Sequence, residues 1–421
     1  MTRAPRDDSL AALADELHTW LEVNWDPELG VVEWRTRLAD AGWACPDWPR
    51  EWCGRGLQRD AAELVRRELA TAGVVGLPDG VGMRLVAPTI LEHGDNLVKE
   101  RFVRPTVTGA LSWCQLFSEP SAGSDLAGLR TRARRDGDEW VVSGQKVWTT
   151  SAHHAGMGLL LARSDWDVPK HQGITCFAMP MRQPGVEVRP LRQMNGHSSF
   201  NEVFFDEARV PADHVIGDVH GGWKVALTTL AYERRVAPQP APQPDATAHG
   251  RARREAAEES RIASEPYRWY PQRAGRVDLL VAQARQTGRD TDPLVRQAIA
   301  RAVALDLVAH LTHERAAATR ALGRPPGSEG SIGKLASSDL AREAARVHTM
   351  LGGASLMLTG DDAPLDGTIA EVVVSVPAAS IAGGTDEIQR TIIGERALGL
   401  AREPDPARDV AFRNVHPAAP R

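Results

Sequence analysis

The stretch Gln115–Gly128 (QLFSEPSAGSDLAG) combines small and hydroxylated residues in a pattern that is typical of a ligand-binding loop. Three serines and two glycines leave hydroxyl groups and backbone N–H groups accessible and add little bulk. Such a backbone can approach a phosphate or the polar edge of a ring closely. The same composition also occurs in solvated turns, so the stretch predicts binding only together with a second feature.

A second stretch, Val142–Ser151 (VSGQKVWTTS), places a tryptophan and two threonines directly after residues with strand character. The face of Trp148 can stack on a flat ring, and the hydroxyl group of Thr150 can donate a hydrogen bond to a ring nitrogen or oxygen. An ordinary strand with a buried tryptophan is the alternative interpretation. The two stretches together are more specific than either one alone.

In this order and spacing the two stretches resemble the flavin-contacting segments of the acyl-CoA dehydrogenase family. Gly383–Arg390 (GGTDEIQR) resembles the family's C-terminal loop, whose threonine and following residues contact FAD. The resemblance extends from about Ala11 to Pro404 and looks closest to the actinobacterial branch that handles bulky or steroid-like CoA esters. It implies FAD as the cofactor and an acyl-CoA, or a carrier-bound acyl group, as the substrate.

The resemblance also implies which residues contact the flavin. Ser118 stands where many relatives have threonine, and it still offers a hydroxyl group to the pyrimidine edge of the ring. Thr385 could instead serve only as the N-cap of a helix. The implied cofactor-binding residues are Gln115, Phe117, Ser118, Gly123, Ser124, Trp148, Thr150, Gly384, Thr385 and Glu387.

The catalytic base is predicted from a departure within the C-terminal loop. Many relatives carry the catalytic glutamate directly before the Gly-Thr pair, where this chain has Gly383. One branch supplies the glutamate instead from the helix after the β-domain, in an L-x-x-E-R pattern, and Leu230–Arg234 (LAYER) matches that pattern. We therefore predict that Glu233 is the base, while the backbone N–H of Gly383 polarises the thioester carbonyl.

The same resemblance implies substrate contacts by Ser124, which is also an implied cofactor contact, and by Arg234, which could instead stabilise the carboxylate of Glu233. The alternative for Glu233 is a solvated carboxylate on a helix surface, paired with Arg234, Arg235 or Lys224. Residue types alone do not separate these two interpretations.

The resulting hypothesis is an FAD-dependent α,β-dehydrogenation of an acyl-CoA thioester to a trans-2-enoyl-CoA. Glu233 would abstract the α-proton, and FAD N5 would accept the β-hydride. One alternative is a flavin oxidase or hydroxylase of a specialised metabolite on the same fold. Another is a subunit of a heteromeric dehydrogenase, although Glu233 and the flavin segments argue against a non-catalytic chain.

The elements that must position these residues fall into three regions. Apolar residues at helical spacing fill residues 1–111, strand-like runs fill 112–220, and long helices fill 221–400. The resemblance implies an α+β fold with an N-terminal helical domain, a middle antiparallel β-barrel or sandwich-like domain and a C-terminal four-helix bundle. A Pro-rich insertion at about 236–265 is expected to be exposed or disordered, and 401–421 to be a flexible tail.

Composition excludes several other classes of protein. The net charge of −5 and a pI near 6.2 give no basic surface for nucleic acid. The four cysteines have neither the spacing of a zinc site nor an evident pairing, so no metal is expected. No apolar run has the length of a membrane span, and the N-terminus lacks a signal-peptide pattern, which predicts a cytoplasmic protein.

The expected partners come from the resemblance alone. It implies a homotetramer or dimer, with a heteromer as the alternative, and an electron-transfer flavoprotein as the electron acceptor. The region Ala321–Leu335 lacks the Phe-Gly pair with which relatives contact the adenosine end of FAD. Arg324, Ser331 and Lys334 could substitute there as phosphate contacts, but none of them is assigned.

Overall fold

The computed structural model describes residues 5–235, 249–322, 327–358 and 360–415. Helices precede and follow a β-sheet along the chain, which confirms the predicted α+β class. The helices are α1 Pro5–Asn24, α2 Val31–Asp40, α3 Arg59–Thr71, α4 Ala87–His93, α5 Asn96–Thr108, α6 Gly222–Arg235, α7 Arg251–Ser264, α8 Tyr270–Arg273, α9 Leu280–Gln286, α10 Pro293–Ala321, α11 Glu329–Gly352, α12 Thr368–Ser375 and α13 Asp386–Arg396. The strands are β1 Trp113–Leu116, β2 Arg132–Asp136, β3 Glu139–Thr150, β4 Met157–Arg163, β5 Ile174–Pro180, β6 Val186–Leu191 and β7 Phe200–Pro211.

The chain divides into two compact units. The first comprises residues 1–191, 199–266 and 407–421, and the second comprises 192–198 and 267–406. The first unit therefore contains α1 to α7 and the whole sheet, whereas the second contains α8 to α13.

One mixed sheet of seven strands forms the middle of the first unit, with the order β1-β4-β2-β3-β7-β6 and β5 paired to β4. The pairs β2–β3, β3–β7, β4–β5 and β6–β7 are antiparallel, as predicted. However, β1 runs parallel to β4, so the sheet is not wholly antiparallel. Every residue of β4 is buried, because this strand pairs on both edges and packs on both faces.

The helices of the first unit share one hydrophobic core with one face of the sheet. Trp34 of α2, Ile90 of α4, Phe102 of α5 and Leu159 of β4 all belong to this core and are almost fully buried. Helix α6 adds Val225 and packs on β5 and α4. The position of α6 is therefore determined by both the sheet and the N-terminal helices.

In the second unit α11 is the central helix. It packs against α9, α10, α12 and α13 among the described residues. A small core of Leu280, Val295, Val347 and Leu351 lies where α9, α10 and α11 meet. This arrangement matches the expected helical C-terminal region.

The predicted extent of the C-terminal region, 221–400, differs from the structure, because α6 and α7 belong to the first unit. The insertion was expected to be exposed or disordered; disorder is wrong for its second half, where Arg251–Ser264 forms α7, although most residues of this helix are at least partly exposed. Alanine, glutamate and arginine favour a helix there, and its Glu255 accepts a hydrogen bond of 2.7 Å from Val31 N at the uncapped start of α2. Residues 236–248 lie outside the described residues.

The expected flexible tail at 401–421 is also wrong in part. Residues 407–415 belong to the first unit, and Phe412 is 5% exposed there. The prolines at 404, 406, 417 and 420 predict a frayed tail, and nothing in the sequence of 407–415 indicates the residues on which this segment packs. Residues 416–421 lie outside the described residues.

No helix in the described part of the chain has both the length and the apolar character needed to cross a membrane. The same residues contain no group of three or more histidine, cysteine, aspartate or glutamate side chains placed to hold a metal ion. All four cysteines are buried and unpaired.

Candidate functional site

A buried ion pair fixes the start of the predicted flavin loop. Lys146 of β3 is fully buried, and its Nζ donates hydrogen bonds to Glu119 Oε1 at 2.8 Å and to Phe117 O at 2.9 Å. Glu119 also accepts from the backbone N–H groups of Arg130, at 2.6 Å, and Thr131, at 2.8 Å. One carboxylate therefore joins both ends of the loop to the strand that carries Trp148.

The two charges keep each other ionised in a place where neither would be stable alone. Burial would raise the pKa of Glu119, but the charge and hydrogen bond of Lys146, with those of the backbone donors, outweigh it and lower that pKa. Burial lowers the pKa of Lys146, and the charge of Glu119 opposes this shift. The pair is thus an electrostatic unit that depends on both partners.

A second buried cation fixes the far end of the loop. Arg163, at the end of β4, is fully buried and donates to Ala127 O at 2.6 Å, to Leu129 O at 3.1 Å and to Lys170 O at 3.1 Å. Burial lowers its pKa to about 10, so the guanidinium remains charged at neutral pH. Glu119, Lys146 and Arg163 were not predicted from the sequence, because charged residues in a strand or turn are ordinarily solvated.

The loop and the end of β3 are held side by side by the backbone. Val147 N donates to Ser118 O at 2.9 Å, and the pairing of β3 with β7 is interrupted by a bulge between Lys146 and Thr149. At this bulge Trp148 has a φ of 61°, and 56% of its surface is exposed. A large aromatic ring in a strained backbone conformation, facing outward beside a small-residue loop, is the arrangement expected of a ligand platform.

These features fit a flat, polar-edged cofactor such as the isoalloxazine of FAD. Thr149 Oγ1 is buried and has no hydrogen-bond partner among the described residues, an unsatisfied polar atom beside Trp148. Gly123 and Ser124 are exposed, and a Cβ added to Gly123 would meet no atom within 4 Å. Phe117 is buried, whereas Ser118, Gln115 and Thr150 are partly exposed.

Glu233 on α6 lies beside the start of the same loop. Gln115 Nε2 donates to Glu233 Oε2 at 3.4 Å, a long hydrogen bond between residues 118 positions apart in the chain. Glu233 is half-buried. The structure thus brings the predicted base next to one predicted flavin contact within the first unit. The side chain of Arg234 lies outside the described residues.

Helix α6 is held in place by polar contacts with α4. Thr89 Oγ1 lies 3.1 Å from Thr229 Oγ1, and His93 Nε2 lies 2.8 Å from Thr228 Oγ1. Burial lowers the pKa of His93, which favours the neutral imidazole in this contact. The turn of α6 that precedes Glu233 is therefore fixed against the N-terminal helices.

The remaining predicted residues, Gly383, Gly384, Thr385 and Glu387, lie in the second unit just before α13 and within its first turn. Gly383 and Gly384 have φ values of 70° and 86°, which other residues rarely adopt. The side chain of Thr385 accepts from Ile388 N, so Thr385 is the N-cap of α13. Glu387 is exposed, and its Oε1 lies 3.6 Å from Arg390 Nη1.

Local hydrogen bonds determine the shape of this second loop. Gln389 Nε2 donates to Gly383 O at 2.9 Å and to Gly384 O at 3.2 Å. Asp386 accepts from Lys334 at 2.8 Å and also from Arg342. Lys334, considered in the sequence as a phosphate contact, is thus an ion-pair partner of α13. Ser331 is buried, and Arg324 lies outside the described residues.

Asp386 is strongly stabilised as a carboxylate. Burial would raise its pKa, but the hydrogen bonds from Lys334 and Arg342 outweigh it and hold the pKa well below its ordinary range. The negative charge of Asp386 in the first turn of α13 also interacts favourably with the positive, N-terminal end of the helix dipole.

The chain is similar to known proteins in all three of its regions. Family models match the N-terminal, middle and C-terminal domains of acyl-CoA dehydrogenases over residues 3–110, 114–208 and 273–398. The acyl-CoA dehydrogenase FadE34 of Mycobacterium tuberculosis is 40% identical over 365 residues, which is 87% of this chain but 46% of FadE34. The chain thus spans about half the length of that relative.

Other relatives match over most of both chains. The acyl-CoA dehydrogenase IpdE1 of M. tuberculosis is 36% identical over 375 residues, 88% of each protein. Among solved structures, the ChsE4–ChsE5 complex from M. tuberculosis has a TM-score of 0.63 at 28% identity, covering 96% of this chain and 100% of that one. The Tcur3481–Tcur3483 steroid ACAD has a TM-score of 0.62 at 26% identity, with the same coverage.

The family models together with IpdE1 are decisive, because they match all three domains and nearly the full chain. The chain belongs to the acyl-CoA dehydrogenase family, whose members are FAD-dependent oxidoreductases acting on CH–CH bonds.

Proposed function

We propose that this chain dehydrogenates an acyl-CoA thioester between Cα and Cβ, with Glu233 as the base that removes the α-proton. The observation that carries this proposal is the contact between Glu233 Oε2 and Gln115 Nε2, 3.4 Å apart. This contact supports the proposal because the carboxylate then lies beside the loop that resembles the family's flavin-contacting segment. A glutamate on a solvent-facing part of α6 would not make this contact.

In this proposal the residues of the chain bind the thioester, orient it and accept its α-proton. Glu233 accepts the α-proton, and Gln115 holds one of its oxygens by donating a hydrogen bond. The backbone N–H of Gly383 acts as a donor to the thioester oxygen, which makes the α-proton more acidic. Ser124 and Arg234 contact the CoA ester. FAD held by the loop Gln115–Gly128 and Trp148 would supply the acceptor for the hydride from Cβ.

The flavin contacts in this proposal are the residues identified in the sequence. Trp148 offers its exposed face to the ring, and Ser118 and Thr150 offer hydroxyl groups. Thr385 acts in this proposal both as a helix cap and as a contact of FAD.

The substrate is proposed to be a bulky CoA ester of the steroid side-chain type. Its support is the likeness to the Tcur3481–Tcur3483 steroid ACAD. A straight-chain acyl-CoA and a carrier-bound acyl group are the competing substrates that a panel must include. Electrons are proposed to leave through an electron-transfer flavoprotein, in the cytoplasm.

We also propose that a second copy of the chain, or a related chain, covers the exposed apolar side of α10. In the second unit Val303, Leu307, Val308 and Leu311 are each about half exposed, between 49% and 57%. These positions form one apolar stripe at helical spacing. Light scattering of the purified protein tests this, since a monomer at micromolar concentration contradicts it.

The reaction is tested by anaerobic titration of the purified protein with acyl-CoAs while the visible flavin absorbance is recorded. A steroid-type CoA ester should bleach the flavin of the wild type. Glu233→Gln should bind FAD equally well but reduce its flavin at least about 10³-fold more slowly, since no base remains. Normal reduction by this variant would refute Glu233 as the base.

A matched control is Glu92→Gln on α4. Glu92 accepts a hydrogen bond of 3.1 Å from Tyr232, the residue next to Glu233, and has no role in the proposed chemistry. Its variant should be reduced at close to the wild-type rate. Rapid oxygen consumption by the reduced wild type would favour an oxidase instead, and purification without flavin would favour a non-catalytic subunit.

A further inference from the structure

The C-terminal segment Ala407–Val415 docks on the loop that joins β4 to β5. Phe412 N donates to Val168 O and Arg413 N donates to Trp166 O, both at 2.9 Å. Arg413 also forms an ion pair with Asp167. The segment is therefore fixed by backbone hydrogen bonds that do not depend on any single side chain.

The ring of Phe412 covers the guanidinium of Arg163. The guanidinium carbon lies 3.6 Å from the ring centroid. The ring itself is buried, and its centroid lies 5.3 Å from the ring centroid of Trp166. A cation over an aromatic face is attracted to it, most strongly where water is excluded. Phe412 thus both attracts Arg163 and shields it from solvent.

Arg163 transmits this contact to the candidate flavin loop. Its N–H groups donate to Ala127 O, in the last turn of the stretch Gln115–Gly128, and to Leu129 O, in the residue that follows this stretch. Glu119, which joins both ends of the loop, acts electrostatically on Arg163 as well. Exposing the guanidinium would let water compete for the hydrogen bonds that hold these carbonyl groups.

We propose that Phe412 and Arg163 are positioning residues for the FAD-binding loop, so that the C-terminal segment determines how tightly the chain holds its flavin. The proposal rests on the proposed role of the loop in flavin binding. It predicts that a residue 284 positions beyond the loop's end at Gly128 changes FAD affinity without touching the cofactor.

The test compares Phe412→Leu with Phe412→Tyr. Leucine keeps an apolar side chain but has no aromatic face, whereas tyrosine keeps the face. FAD binding to apoprotein, measured by fluorescence titration, should weaken about tenfold in Phe412→Leu and stay within about twofold of the wild type in Phe412→Tyr. Hydrogen exchange at residues 118–131 should rise in the leucine variant only.

Arg413→Ala is the matched control, because it removes the exposed ion pair with Asp167 and leaves the ring in place. It should bind FAD like the wild type. A chain ending at Pro406 should lose at least as much affinity as Phe412→Leu, and a synthetic peptide of residues 407–415 should restore it. A chain ending at Val415 should bind normally.

Ser118→Ala, a substitution within the loop itself, distinguishes failure of the role of Phe412 from failure of the loop's role in flavin binding. If it weakens FAD binding and Phe412→Leu does not, while the leucine apoprotein melts at a lower temperature, the segment only stabilises the fold and the inference is wrong. If Ser118→Ala and Trp148→Ala both leave FAD affinity unchanged, the proposed flavin role of the loop fails, and this inference fails with it.

Discussion

The two glycine-containing loops that resemble flavin contacts are held by opposite means. In the first unit, the loop Gln115–Gly128 is fixed by buried charges on β3 and β4, Lys146 and Arg163, which follow the loop by 18 and 35 residues. In the second unit, the loop before α13 is fixed mainly by its own helix, through Thr385 and Gln389.

This difference indicates where each loop is vulnerable. The first depends on buried ions that have lost their hydration, so removal of one partner leaves an uncompensated charge. The second depends on hydrogen bonds within the loop and α13, and on ion pairs of Asp386 whose cationic partners, Lys334 and Arg342, are partly exposed to water. Four substitutions test this difference, and their expected effects decrease from Lys146→Met to Gly123→Ala.

Lys146→Met should have the largest effect. It leaves Glu119 buried without its cation, which is expected to cost about 3–5 kcal/mol of unfolding free energy. Urea denaturation of the apoprotein measures this loss. The double variant Glu119→Gln/Lys146→Met should recover a substantial part of it, because no buried charge remains. A loss below about 1 kcal/mol in the single variant would contradict the described burial.

Asp386→Asn should cost less, about 1–2 kcal/mol, because the side chains of its partners Lys334 and Arg342 are 18% and 42% exposed. The pKa of Asp386 is lowered in the folded protein, so its contribution is complete above the ordinary value of 3.8 and is lost as the pH falls below it. The difference from the wild type should therefore shrink in acid.

The control for this prediction is Asp339→Asn. Asp339 is the other carboxylate partner of Arg342, but its side chain is 49% exposed. Its loss should change the unfolding free energy by about 0.5 kcal/mol or less. Equal effects from the two variants would mean that Asp386 has no special place in the second loop.

Gly384→Ala should cost about 1–2 kcal/mol, because φ is 86° there and the new Cβ would lie 2.6 Å from Gln389 Nε2. Gly383→Ala shares the positive φ but meets no atom within 4 Å, so it should cost about half as much. Thermal unfolding of both variants separates the steric clash from the backbone strain. A less stable Gly383→Ala would reverse this explanation.

Gly123→Ala in the first loop should have the smallest effect on stability, within about 0.5 kcal/mol, since the added Cβ has open space. Its FAD dissociation constant should nevertheless rise roughly 3- to 10-fold, if the ligand approaches this backbone closely. Calorimetric melting and fluorescence titration of the same sample test both statements. Unchanged FAD affinity would remove Gly123 from the binding loop.

Local patterns determined much of what could be predicted from the sequence. Alternating and helical periodicity indicated the α+β class, and the sequence Thr385-Asp386-Glu387 indicated the start of a helix. These features arise from neighbouring residues, which is why they are readable without a structure. Helix α7 was missed because a Pro-rich stretch precedes it, while its contacts with Arg35 and Val31 lie 224 residues away.

Residue types and their spacing were enough to predict the succession of helical and strand regions, the family resemblance and the residues available for flavin and proton chemistry. The following contacts became visible only in the tertiary structure. Glu233 lies beside Gln115, and Phe412 covers Arg163. Lys146 and Arg163 are buried and bind the loop Gln115–Gly128 through Glu119 and Ala127. The physical reason is that a buried charge is stable only with partners, and here those partners come from distant parts of the chain.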